Sequence, residues 1–164
     1  MPQQSATDDE PEPIPARRRV VLSDGTVVPV SLDEAKVREV VYTFYRAVRA
    51  DPVIGPIFED AIAPDDWPRH LGVMVGFWSS MLLGTRTYDG RPMPKHIQLP
   101  GLDDVHFAIW LKLFRDTVAE VCEPEVAALF VDRAERVAHS FRLGLAYFRG
   151  RDTTTVERME AAKL

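Results

Sequence analysis

The chain has 164 residues, a formal net charge of -5 and a 46% hydrophobic content, which suits one domain with short flanks. The acidic balance argues against a broad nucleic-acid footprint, and a single cysteine excludes an intramolecular disulfide framework. The longest stretch without Asp, Glu, Lys or Arg runs from His70 to Thr85. It is interrupted by Ser79 and Ser80 and is too short for a membrane span. The N-terminus carries acids where a secretory signal would show a basic and then an apolar region, so a cytoplasmic chain without membrane or nucleic-acid partners is expected.

Residues 1–30 read as a flexible extension with a short extended arm. The first fifteen are polar, acidic and proline-rich, with too little apolar surface to offset the entropy of ordering. Arg17, Arg18 and Arg19 follow, either as an anion contact or as a solvated stem beside the acidic tail. Asp24-Gly25 predicts a tight turn between two β-branched runs, and Pro29 confines the second to an edge or arm.

From residue 31 the periodicity is helical. Ser31 and Glu34 form a candidate capping box, followed by an inward face of Val37, Val40, Val41, Phe44 and Val48. Asp51-Pro52 can start a short helix. Asp65 or Asp66 can cap the next, with the stripe Trp67, Met74, Phe77, Trp78, Met81 and Leu82, and with Gly84 as its C-terminal cap. Residues 85–93 read as a loop, and Pro94 to Leu99 allow about one helical turn. Asp103 or Asp104 opens a helix through Phe107, Trp110, Leu111, Phe114, Val118 and Val121. Pro124 begins the last long helix, with Val126, Phe130, Val137, Phe141, Leu145 and Phe148 inward. The fold class is all-α. Residues 150–164 read as a polar tail that frays or docks weakly.

Two histidines stand out against this frame. His70 shares the inward face of Met74 and Phe77, where burial demands a partner. His96 sits on a short proline-bounded turn that limits its backbone and can aim the ring. One axial imidazole beside an apolar pocket suffices for b-type haem, and the absence of C-x-x-C-H argues against covalent attachment of that kind. Taken singly, His96 reads as an ordinary loop or core histidine before it reads as a ligand, His70 as a structural histidine, Phe58 and Trp110 as core packing, and Tyr45 as a helix-edge hydrogen-bonding group. His106, one turn before Trp110, reads as peripheral or structural. His139 falls off the main stripe, and Cys122 reads as structural. Neither a hydrolase dyad nor a phosphate-binding loop is present.

In combination these segments resemble the group III truncated haemoglobins of bacteria. The resemblance rests on F-Y-R-A-V-R-A-D-P-V-I-G-P-I-F at 44–58, W-P-R-H at 67–70, G-F-W-S-S-M-L-L-G at 76–84, Y-D-G-R-P-M-P-K-H-I-Q-L-P at 88–100, F-A-I-W-L-K-L-F at 107–114 and R-A-E-R-V-A-H-S-F at 133–141. It implies a truncated globin domain over residues 31–149, a two-over-two helical sandwich around haem b and its iron. It further implies that His96 is the proximal iron ligand and that His70 lies on the distal face. Tyr45 and Trp110 become the principal hydrogen-bonding pair for the iron's ligand, with Phe58 wedged against the macrocycle. Met74, Phe77, Trp78, Met81, Phe107 and Phe141 become pocket-lining residues, and Tyr88 and Lys95 candidate propionate partners.

The implied activity is binding of O2, CO or NO at ferrous iron, with tight O2 retention because two donors face a partly negative ligand in an apolar pocket. Retention suits an NO dioxygenase that detoxifies nitric oxide, or peroxidase-like chemistry. Either would need a separate reductase, since the chain shows no flavin or nicotinamide domain. The alternatives are non-enzymatic oxygen storage, delivery as an oxygen carrier, or gas sensing, and a haem-free helical interaction module.

Overall fold

A computed structural model describes residues 20–164, so the acidic opening stretch and Arg17, Arg18 and Arg19 lie outside the described residues. The Asp24-Gly25 turn forms as expected. Gly25 adopts φ 82°, Val28 N–H donates to the Val20 carbonyl at 2.9 Å, and Val21 bridges Val27. This isolated bridge is all the β-structure among the described residues. The arm is pinned to the domain by Arg133, whose Nη2 donates to Asp24 at 2.7 Å and to Thr26 at 3.0 Å.

Six α-helices follow: α1 (Glu34–Ala50), α2 (Gly55–Ala61), α3 (Trp67–Leu83), α4 (Pro92–Ile97), α5 (Asp104–Val121) and α6 (Pro124–Phe148). Helix α1 begins at Glu34, which makes Asp33, not Ser31, its cap. The Asp33 carboxylate accepts from Lys36 N–H at 2.9 Å, because the capping side chain must sit immediately outside the first helical residue. Asp51-Pro52 likewise does not start a helix. Asp51 accepts from Val53 and Ile54 N–H and shapes a turn, and α2 starts at Gly55. That glycine permits a close approach, since a Cβ there would stand 2.8 Å from the Arg49 carbonyl oxygen and 3.1 Å from that of Val48. A 3-10 turn, Pro64–Asp66, leads into α3. Gly84 ends α3 in the left-handed region with φ 66°, as a C-terminal cap requires.

The aromatic core centres on Phe114, which is fully buried. Its ring lies 4.8 Å from Trp78, 5.0 Å from Phe44, 5.5 Å from Trp110 and 6.0 Å from Phe130. Helices α1, α3, α5 and α6 thus meet on one ring. Along α3 the expected stripe divides. Trp67, Trp78 and Leu82 are buried, whereas Met74, Phe77 and Met81 are only partly covered. Phe148, expected inward, is 63% exposed, because α6 outruns its neighbours at that end and the chain turns at Gly150 (φ 66°).

The last fifteen residues are held more firmly than their polarity suggests. Ala161 is buried, its N–H donates to Glu135 at 2.8 Å, and its carbonyl accepts from Arg115 at 2.6 Å. Arg158 pairs with Asp132 and Glu135. Buried Arg142 donates to the Glu157 carbonyl and forks onto both oxygens of Asp104 at 2.7 and 2.9 Å. The attraction comes from charge-assisted hydrogen bonds to backbone carbonyls, which an apolar-stripe reading does not register.

The Arg142 guanidinium holds the Asp104 carboxyl below its ordinary value of 3.8. A depressed carboxyl contributes stability that is complete above the ordinary value and is lost as pH falls through the lower folded one. Asp104→Asn should therefore cost about 1 kcal/mol at pH 7, less than a fully buried charged hydrogen bond because the Asp104 carboxylate is 61% exposed and screened by solvent. The deficit should shrink as pH is taken below 3.8. Chemical denaturation of both proteins across that range checks this; an equal deficit throughout would contradict it.

Candidate functional site

The helices leave a largely apolar cleft lined by α1 (Tyr45), the turn into α2 and α2 itself (Ile54, Ile57, Phe58), α3 (Met74, Phe77, Trp78), α4 (Pro92, His96), the connection to α5 (Leu99, Leu102), α5 (His106, Phe107, Trp110) and α6 (Val137, Ala138, Phe141), with Tyr88 from the loop before α4. Its volume, counted out into the solvent mouth, is about 800 Å³. Ten of the thirteen residues singled out in the sequence line this one space. Met81 instead lines a neighbouring groove with Arg86, Arg133 and Arg136. Lys95 is exposed, and His70 lies behind the lining, against Tyr45 and Trp67.

His96 is held in one orientation. Its Nδ1 lies 2.8 Å from the Pro92 carbonyl oxygen, which can only accept, so Nδ1 carries the proton and Nε2 keeps its lone pair. The ring stacks on Phe141 at 4.4 Å with a 20° interplanar angle. Burial pushes its pKa below the ordinary histidine value, against a smaller upward pull from the Pro92 carbonyl. The imidazole is therefore neutral at pH 7, as a metal ligand must be.

On the α1 and α5 walls of the lining, two polar side chains lack hydrogen-bond partners. The Tyr45 hydroxyl and the Trp110 indole N–H bond to no described residue, although Tyr45 is only 6% exposed. Burial raises the Tyr45 phenol well above its ordinary value, which keeps it a protonated donor. Its ring is fixed edge-on by Phe44 at 5.1 Å and by Phe58 at 5.9 Å. Trp110 stacks on Phe114 at 14° and meets Phe44 at 88°. Trp110 is only partly buried, and two unpartnered donors lining one apolar cavity mark where a bound molecule would accept hydrogen bonds. His70 Nε2, also without a partner, is buried, with its ring against Tyr45, and burial lowers its pKa ahead of the Lys95 charge.

A family profile of bacterial-like globins matches residues 31–142. The chain is 35% identical over 114 residues to the group 3 truncated hemoglobin ctb of Campylobacter jejuni, an alignment covering 68% of this chain and 90% of that protein. This chain belongs to the group III truncated haemoglobins. A crystal structure of a group III truncated hemoglobin from Campylobacter jejuni matches it with a TM-score of 0.68 at 32% identity, over 74% of this chain and 97% of that one. The all-α, two-over-two helical sandwich expected from the sequence is its fold.

For a truncated haemoglobin the residues present fit haem b. Among the described residues no three His, Cys, Asp or Glu side chains gather around a bare metal ion. One neutral, oriented imidazole on an apolar cleft suits an iron already held by a macrocycle. No helix among the described residues is long and apolar enough to cross a membrane.

Sequence reasoning did not place Ile54, Ile57, Leu99, Leu102, Val137 and Ala138 in the lining, although Val137 was read as inward. His106 has two positions of influence. Its Nδ1 accepts from Asp103 N–H at 2.9 Å, closing the capping box of α5, and the residue also borders the cleft. The Asp103-x-x-His106 spacing is the signal that could have shown the cap.

Because the Tyr45 phenol is raised by burial, Tyr45→Phe should leave the alkaline spectrophotometric titration of the native chain unchanged up to the pH of unfolding. Loss of one normally titrating tyrosine would show instead that the hydroxyl is in contact with water.

Proposed function

We propose that this truncated haemoglobin binds haem b through His96 Nε2 and retains a diatomic ligand, O2 foremost, by hydrogen bonds from Tyr45 and Trp110. The observation that carries the reading is the pairing of two unpartnered donors with one oriented neutral imidazole on a single apolar cleft. When bound, haem supplies a redox-active iron with a coordination position for O2, CO, NO or peroxide. His96 holds the iron on the α4 side. The Tyr45 O–H and Trp110 N–H donate to the ligand in a water-poor surround, where such bonds are stronger than in solvent. Phe58 packs beside Tyr45, Phe141 backs His96, and Met74, Phe77, Trp78 and Phe107 give the macrocycle apolar walls. Tyr88, at the cleft margin, is the better-placed propionate partner, with exposed Lys95 reaching in from solvent.

Slow release favours chemistry on the held gas over rapid delivery. In the dioxygenase version, O2 and NO combine with one electron to give nitrate. In the peroxidase-like version, peroxide takes two electrons and two protons to give water. The electrons come from a separate reductase, and the setting is cytoplasmic. Storage, oxygen transport or gas sensing is the second reading. It is favoured by the absence of any Asp, Glu, Lys or Arg from the described lining, which leaves few groups to move protons.

The purified chain reconstituted with haem should show a Soret band that His96→Ala weakens and shifts; absence of the band in the wild type would leave a haem-free helical module. Tyr45→Phe and Trp110→Phe should each raise the O2 dissociation rate by roughly tenfold, the equivalent of one hydrogen bond of about 1.4 kcal/mol. Unchanged rates would refute the donor assignment. Stopped-flow mixing of the oxygenated protein with NO should give rapid nitrate, and slow or no nitrate would favour storage or sensing.

A further inference from the structure

Trp67, the first residue of α3, is buried and meets two of the residues assigned to the ligand side of the site. Its ring lies 6.0 Å from Tyr45 and 5.6 Å from His70, while Tyr45 and His70 lie 5.2 Å apart. All three contacts are edge to face, at 63°, 85° and 89°, an arrangement that aromatic quadrupoles favour. Over the same indole sits the Arg49 guanidinium, 4.4 Å from the ring centre, and Arg49 Nε donates to Glu59 at 2.5 Å. Arg49 ends α1, Glu59 lies in α2 and Trp67 opens α3. One run of contacts therefore ties together the three helices that carry Tyr45, Phe58 and His70.

A second observation says what this tie controls. His70 Nε2 and Trp67 Nε1 are both buried without a hydrogen-bond partner. A hydrogen bond would hold an imidazole by direction; without one at Nε2, ring packing against Trp67 and Tyr45 sets where His70 rests. We propose that Trp67, clamped by the Arg49–Glu59 ion pair, is the positioning residue that keeps His70 beside Tyr45 and behind the cleft lining. It thereby governs how readily a diatomic ligand gains the haem. The proposal rests on the haem-binding reading above. Trp67 touches no ligand itself and acts only through His70.

The test uses the full chain loaded with haem and follows CO association. Arg49→Met keeps an apolar stem and removes the cation, and with Arg49 and Glu59 both partly exposed it leaves the core intact. Arg49→Met and Trp67→Leu should each change the association rate by about two- to fivefold, the span that a contact of cation–π strength carries. Trp67→Phe keeps a ring and should stay nearer the wild type than Trp67→Leu. In a His70→Leu background neither change should add anything, because the group being positioned is gone. In the full chain without haem, Arg49→Met should also move the imidazole NMR signals of His70.

Wild-type CO association and wild-type His70 signals in Arg49→Met and Trp67→Leu would overturn the proposal, as would an undiminished effect without His70. If His70→Leu alters CO association and those two variants do not, this inference fails while the haem reading stands. A wild-type chain that takes up no haem overturns both.

Discussion

Phe114 imposes the steric constraint on which the cleft depends. It is fully buried on α5, and its ring is shared by Phe44 of α1, Trp78 of α3, Trp110 of its own helix and Phe130 of α6. Each neighbour brings part of the site with it. Phe44 fixes the rotation of α1, so Tyr45, about 100° further round the helix, faces Phe58, Trp67 and His70. Trp78 does the same for Phe77 on α3, and Trp110 is itself a wall of the cleft. Dense aromatic packing of this kind transmits small displacements instead of absorbing them. The cleft is therefore a by-product of how the core closes.

Polarity is distributed accordingly. The ion pairs gather away from the cleft, at the arm, along the outer face of α6 and under the C-terminal segment. The polar groups that define the site within the cleft are neutral: a protonated phenol, an indole, and the His96 imidazole held in one tautomer by the Pro92 carbonyl. Neutral donors and acceptors cost less to bury than charges and suit an uncharged diatomic ligand.

Much of this arrangement was legible in the sequence, and the rest was hidden for identifiable reasons. Helical spacing located every long helix, Gly84 marked one end and Asp103 one beginning. The helix-start signals at Ser31 and Asp51 misled because capping depends on which residue is first to take helical angles, and several oxygen-bearing side chains compete for that role. Spacing also cannot separate a residue facing packed core from one facing a cavity, so nothing marked Ile54, Ile57, Leu99 and Leu102 as lining. Met74 and Phe77, by contrast, were assigned to the lining only through the resemblance. Phe148 was misread because periodicity does not report where the neighbouring helix stops. The docking of residues 150–164 relies on arginines reaching backbone carbonyls, a partner that no side-chain pattern displays. Met81 kept its register on α3 but lines a neighbouring groove instead of the cleft.

The position with the least latitude in this part of the molecule has no side chain at all. At Gly55 a single added methyl would press on the carbonyl oxygens of Val48 and Arg49, which belong to a helix end and cannot swing aside as a side chain would. Relief would come by lifting α2, and Ile57 and Phe58 would rise with it while every lining residue kept its identity. Sequence drift could thus re-gauge the width of the cleft, and loosen the footing of Arg49 above Trp67, through a substitution that adds nothing to the cleft itself.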